Sequence, residues 1–271
     1  MSGNPLSTAA PWSTIAVGYA EMAEKMMRPF AARALELAAP GADARVLDVA
    51  AGPGTLSLLA AQQVSKVRAL DFSTEMLEVL RRKATAAGVD NIDAVTGDGQ
   101  QLPYGDGEFD AAFSMFGLMF FPDRSRGFAE LHRVLRPGGV AVVSSWAPMD
   151  ESPLAELIFR AMVAGTPAEG KLPETDMFSL QNPERFETEM RAGGFGEVIV
   201  QRHTVELTYP DSAALYRELS EGGAPMAVMR TGFDEAGWAA RTALIENYLR
   251  ENYIPGSPLA TTAFLAVGRK D

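Results

Sequence analysis

Cysteine is missing from all 271 residues. Its absence excludes disulfides, thiolate-held zinc, iron–sulfur clusters and a cysteine nucleophile. Histidine is nearly as scarce, occurring only at His132 and His203, and no metal site is expected. Positive charge is outweighed, with 24 Lys+Arg against 35 Asp+Glu and a net charge of −11. Nucleic-acid backbones are gripped by clustered Lys and Arg, so no nucleic-acid partner is expected. No stretch reaches the roughly 18 consecutive apolar residues of a membrane span. The opening MSGNPLSTAAPW lacks the basic patch and apolar run of a signal peptide. A soluble, cytoplasmic protein without a membrane partner is the expectation, and a homodimer is compatible with it.

What the chain does have is a stretch around which the rest is arranged, VLDVAAGPGTLSLL from Val46 to Leu59. Apolar residues suited to a buried parallel strand lead through Asp48 to Gly52 and Gly54, then into an Ala/Leu-rich helical run. Ligands of open parallel sheets bind where such a strand hands over to its helix. Glycine there admits close approach, because no Cβ stands in the way.

The flanking pattern is an alternation. Residues Trp12 to Leu37 carry apolar side chains at helical spacing, with Pro29 dividing them. Strands are expected at Ala44–Val49, Lys66–Leu70, Ile92–Thr96, Ala111–Met115 and Val140–Ser145. Helices separate them, one capped by Ser73 and stopped by Gly88. Strands alternating with helices imply a parallel sheet covered on both faces. Beyond Pro148 the pattern changes to helices at Pro153–Val163, Pro183–Ala192 and Ser212–Asn252, the last broken near Gly222-Gly223 and Pro225. Two strands, Val198–Leu207 and Thr261–Val267, complete the sheet as an antiparallel pair. Residues 1–271 read as a single domain with helical substrate-cap insertions at 148–182 and 209–255.

Four segments, VLDVAAGPG (Val46 to Gly54), ALDFS (Ala69 to Ser73), GDGQQLPYGDGEFDAAFS (Gly97 to Ser114) and RVLRPGGVAVV (Arg133 to Val143), occur in an order that resembles the class I S-adenosylmethionine-dependent methyltransferases. Within that class it looks like the broad group of the ubiquinone/menaquinone-pathway C-methyltransferases and their small-molecule relatives. The resemblance covers roughly Trp12 to Trp146. It implies an α/β, Rossmann-like fold: a seven-stranded, mostly parallel sheet with its last strand antiparallel, helices on both faces and a helical cap. It implies S-adenosyl-L-methionine as cofactor, with Asp48, Ala50, Gly52 and Gly54 around its methionyl part. Asp71 would accept both ribose hydroxyls, and Asp98 the adenine amino group beside Gly99. Ser114 would face the sulfonium, Phe72 and Met76 join the binding set, and Tyr19 covers it. Trp12 is assigned to the core. Ala50 stands where many relatives have glycine, a change expected to be small at a position needing an ordinary backbone angle.

The sulfonium carries its own activation, so the protein's part is to align a nucleophile and exclude water. His132 precedes the fifth strand and His203 sits within a late one; neither is assigned as a base, and the catalytic set stays unknown. Phe116, Leu118, Met119 and Phe120 are expected on the floor of a substrate pocket closed by residues from Met149 onward and by the segment between Leu207 and Ile254. Methionine adapts to irregular apolar shapes, which favours an apolar or aromatic small-molecule substrate. A catalytically silent cofactor-binding subunit is one alternative. A nicotinamide-dependent oxidoreductase is another, although its Gly-x-Gly-x-x-Gly turn is broken here by Ser57. The Asn/Asp-Pro-Pro-aromatic signature of nucleic-acid amino methyltransferases is replaced by SMFG from Ser114 to Gly117.

Overall fold

A computed structural model describes residues 4–166 and 180–271. Part of the expected 148–182 insertion lies outside the described residues.

The N-terminal helical stretch divides at Met27 into α1 (Ala9–Met26) and α2 (Arg28–Ala38). Pro29 sits in the first turn of α2, where its missing N–H has no intrahelical partner to lose. Then come β1 (Arg45–Val49), α3 (Thr55–Ala60), β2 (Lys66–Asp71), α4 (Thr74–Ala86), β3 (Ile92–Thr96), β4 (Phe109–Met115), α5 (Arg124–Val134) and β5 (Leu135–Trp146). The second half supplies α6 (Pro153–Val163), α7 (Pro183–Ala192), β6 (Glu197–Leu207), α8 (Ser212–Gly222), α9 (Ala224–Arg230), α10 (Glu235–Asn252) and β7 (Leu259–Arg269).

The seven strands lie in the order β3-β2-β1-β4-β5-β7-β6. Strands β1 to β5 pair in parallel, whereas β7 runs antiparallel to both β5 and β6. The expected fold class therefore holds. One detail differs. The segment Leu135 to Gly139, ahead of the strand expected at Val140–Ser145, belongs to β5. Leu135 pairs with Phe109 before the register shifts, and the Gly138 and Gly139 backbones bond to Lys270.

Apolar side chains fill both faces of the sheet. On one, Phe30, Val46, Phe113, Val142 and Leu265 pack with α2, α3, α6, α8 and α10; on the other, Leu47, Phe109, Phe128, Leu131 and Phe186 pack with α5 and α7. Strand order reverses between β1 and β4, and that switch point opens a crevice at the strands' C-terminal ends. Among the described residues no helix is long and apolar enough to cross a membrane.

Candidate cofactor site

A cavity of about 350 Å³ lies over this crevice, within the size range of small-molecule sites. Its floor comes from the loops after β1 to β4, and its cover from the N-terminal segment, through Leu6, Ser7, Trp12 and Tyr19. Tyr19, Ala50, Gly52, Asp71, Phe72, Met76, Asp98 and Gly99 all line it.

Asp71 ends β2 with only 4% of its surface exposed. Its Oδ2 accepts from the Gly52 amide and its Oδ1 from the Ser73 amide, both at 2.8 Å. A carboxylate offers about four acceptor positions, so capacity remains for a ligand. Burial pushes Asp71 up to about 6, with the amides of Ser73, Gly52 and Phe72 opposing. Ser73 caps α4 by accepting from the Met76 amide, which brings buried Met76 to the wall. Asp98 is exposed on the β3 loop; its Oδ1 accepts from the Gln100 amide and side chain at 2.8 and 3.0 Å. Gly99 is required by close packing, because a Cβ there would overlap the Phe121 ring and Val49.

Three residues of the expected set do not line this cavity, although Asp48 lines a smaller space of about 40 Å³ beside it. Asp48 is buried behind the loop, where the Ser57 hydroxyl donates to its Oδ2 at 2.6 Å. Burial pushes it up to about 7, opposed by that hydrogen bond and reinforced by the charge of Asp71. Gly54 (φ 82°) backs onto α4, and a Cβ there would overlap Leu80. Ser114 is fully buried and its hydroxyl accepts from the Leu118 amide at 3.2 Å, which turns it from the cavity.

Ala50 needs a correction of another kind. Its φ of 57° is left-handed, not an ordinary angle, and costs an L-residue roughly 1–2 kcal/mol. Its Cβ packs where the next loop passes, since a Cβ on Gly117 would overlap it. Phe116 is also left-handed, at φ 59°. Its amide donates to the buried Ser144 hydroxyl at 2.9 Å and its ring stacks on Trp146 with centroids 4.1 Å apart. Two loops held off the favoured backbone regions thus meet at the crevice.

The expected pocket floor is split. Phe116 and Phe120 line the cavity, but Leu118 and Met119 point into the core beneath α5. None of the described residues of segments 148–182 and 209–255 lines this cavity. Among the described residues, α8 and α9 stand behind the cover: Gly18 of α1 abuts the Glu221 carbonyl, and Ala224, Ala227 and Val228 pack with Leu6, Ile15 and Ala20. The cover is pinned by polar contacts. Ser7 donates to the Phe120 carbonyl at 2.8 Å, and Ser13 donates to Glu75 at 2.5 Å. Trp12 donates to the Leu6 carbonyl at 2.9 Å while its ring meets Tyr19 and Phe120 edge-on. It lines the cavity rather than only the core. Sequence reasoning also missed Ser7, Gln100 and Phe121, whose places depend on long-range packing that no local motif encodes.

His132 meets Phe195 edge-on and His203 meets Phe30, both outside the cavity. Burial lowers both imidazoles, with nearby Lys270 and Arg33 adding to it. Tyr19 is raised to about 12 by burial and the Asp71 charge, so at neutral pH its hydroxyl can donate a hydrogen bond but not accept a proton as phenolate. Among the described residues no group of three His, Asp or Glu is placed to hold a metal.

Comparison with known proteins bears on the family and the fold. Residues 46–139 match a family model described as a methyltransferase domain. The chain is 37% identical over 165 residues to a demethylmenaquinone methyltransferase of Deinococcus radiodurans, covering 56% of this chain and 67% of that one. It is 41% identical over 128 residues to an uncharacterized protein of Mycobacterium tuberculosis, covering 47% and 46%. In fold it is similar to phosphoethanolamine N-methyltransferase 2 of Haemonchus contortus, solved with S-adenosyl-L-methionine, at a TM-score of 0.58 and 18% identity, covering 96% and 57%. The chain spans about half the length of most of the curated relatives it matches.

Proposed function

This chain belongs to the class I S-adenosylmethionine-dependent methyltransferases, and we propose that it moves the cofactor's methyl group to O, N or C of a small apolar or aromatic metabolite by direct displacement. The observation that carries this reading is Asp71: a buried carboxylate with spare acceptor capacity, at the end of β2, on the wall of a switch-point cavity. Its fit to a ribose diol is chemical, since two hydroxyl donors match two carboxylate oxygens. Asp98 supplies a second acceptor, for an adenine amino group, and Met76, Phe72 and Trp12 give apolar surface for a planar base.

When bound, the cofactor supplies an electrophilic methyl on a good leaving group. The residues of this chain bind, orient and exclude water. Proximity and orientation supply about 7–11 kcal/mol of barrier reduction in such cases. The pinned N-terminal cover serves that purpose, closing the crevice with Trp12 and Tyr19. Among the described residues the cavity holds no histidine, Tyr19 is raised too far to act as a base at neutral pH, and the Asp71 carboxylate is committed in this reading to the ribose. That favours an acceptor already nucleophilic or readily ionised, such as an amine, a phenolate or an activated carbon.

The dinucleotide alternative is disfavoured by Ser57, whose buried side chain is committed to Asp48 where a pyrophosphate loop has its third glycine. The test is calorimetric titration with S-adenosylmethionine and with NADH, followed by labelled cofactor against a panel of phenols, amines and quinones. The family relationship to a demethylmenaquinone methyltransferase makes quinols the first acceptors to try. Binding of NADH but not of the sulfonium cofactor refutes the proposal. Cofactor binding without transfer to any acceptor moves the weight to the silent-subunit reading.

A further inference from the structure

The sheet has two outer edges, β3 and β6, and they are finished differently. Strand β3 is five residues long, and the Arg81 guanidinium of α4 donates to its Ala94 carbonyl at 2.8 Å. Strand β6 runs for eleven residues, EVIVQRHTVEL, in unbroken register with β7 from Glu197↔Arg269 to Leu207↔Leu259. It contains no proline, glycine or bulge, the usual devices that stop an edge from recruiting another strand. Among the described residues, no group outside β7 hydrogen-bonds to the β6 backbone. Ile199 on this strand is 61% exposed.

The charges along this edge suit one partner. Arg202, Thr204 and Glu206 share a face of the strand, and all three are exposed. A strand that meets its own copy about a two-fold axis normal to the sheet pairs antiparallel. In such a ladder successive residues turn their N–H and C=O groups to opposite sides. Every second residue of β6 is thus already turned to β7, and the axis can fall only on a residue, never between two. An axis on Arg202 opposes arginine to arginine, and one on Glu206 opposes glutamate to glutamate. An axis on Thr204 sets Arg202 against Glu206 of the second copy, twice. No other position in the strand brings arginine and glutamate face to face. Arg202 already holds Glu151 at 3.0 Å, but five guanidinium donors serve two carboxylates.

We propose that the β6 edge is the docking surface for a second copy of this chain, joined β6 to β6 about a two-fold at Thr204, so that one sheet runs through both copies. The two charges that guard the edge against foreign strands become attractive pairs in this register. The inference is independent of the cofactor reading, since no β6 residue lines the cavity.

Analytical ultracentrifugation of the full chain is expected to show a monomer–dimer equilibrium. Glu206→Arg puts arginine opposite arginine on both sides of the axis, and Arg202→Glu puts glutamate opposite glutamate. Each should raise the Kd of the dimer about tenfold or more, because the symmetry counts every change twice. Mixing the two variants, or combining both changes in one chain, should restore the dimer, since opposite charges then face each other again. The chain has no cysteine, so Thr204→Cys introduces its sole thiol. A short bis-maleimide should join two copies there, but not through Glu197→Cys, which lies far from the axis. If Arg202→Glu unfolds through its quarrel with Glu151, Glu206→Arg and the cross-link carry the test. A chain that stays monomeric up to its solubility limit overturns the proposal. So does a dimer indifferent to charge reversal, or cross-linking as efficient at position 197 as at 204.

Discussion

Asp71 and Asp48 show how far a single side chain's chemistry depends on its enclosure. Both carboxyls are raised above the ordinary aspartate range, to about 6 and about 7. A ligand that donates hydrogen bonds to Asp71 favours its ionised form, so binding must expel a proton wherever the free site holds one. Affinity for S-adenosylhomocysteine is therefore expected to be flat above pH 7 and to fall below about pH 6, approaching tenfold per unit for one proton. Titrations in buffers of differing ionisation enthalpy will show the proton release; Asp71→Asn should lose about 10- to 100-fold in affinity and this pH dependence. The sign for folding is the opposite. A carboxyl raised in the folded state contributes stability that is full below its unfolded pKa, near 4, and disappears as pH rises through 6 to 7. Asp48→Asn is thus expected to raise the melting temperature at pH 8 and leave it nearly unchanged at pH 4. A lower melting temperature at pH 8 contradicts the assignment. The acids themselves were legible from the motif, but their enclosure was not. For Ala50 the residue type gave the wrong expectation, because a backbone angle imposed by the neighbouring loop leaves no mark on the amino acid that adopts it.

Elements were easier to read than their contacts. Apolar runs bounded by Gly, Pro and Asp gave β3, α6 and α7 to the residue and most other boundaries within a few, since period and turn chemistry are local signals. The fifth strand was placed too late, at Val140, because the glycines of the RPGG segment allow an irregular start to β5 at Leu135. The segment from 209 to 255 was legible as helices but not in its contacts. Its apolar faces are visible in sequence, but which element they cover is decided by the fold, and they cover α1. That crossing is tight: a Cβ on Gly18 would overlap the Glu221 backbone, and one on Gly222 would crowd the Gly18 carbonyl. Gly18→Val is accordingly expected to displace α1, lower the melting temperature and raise the Kd for S-adenosylhomocysteine severalfold, although Gly18 does not line the cavity. Gly41→Val, at a position where a Cβ meets nothing, serves as the comparison and should change neither. Equal ligand affinity in both variants means that α8 does not position the cover.

For the molecule as a whole, the alternation implied a parallel sheet, and the resemblance carried by the four segments implied its seven strands, its antiparallel last strand and the cofactor; the order of the strands came only with the structure. A ligand that binds only the folded chain raises its stability by mass action, by about 2.7 kcal/mol at a hundredfold excess over Kd. For a chain of this size that corresponds to roughly 5–10 °C in melting temperature. S-adenosylhomocysteine should produce it and NADH should not. The position of β7 has a further bearing on the protein's life in a cell. It lies between β5 and β6, so of the seven strands the last to leave the ribosome is an interior one. Until Leu259–Arg269 has emerged, β5 and β6 each present unpaired backbone groups, the usual starting point for edge-to-edge association. Vectorial synthesis can therefore settle the parallel half early, but it leaves the nascent chain dependent on the β7 segment, or on a chaperone, to stay out of aggregates.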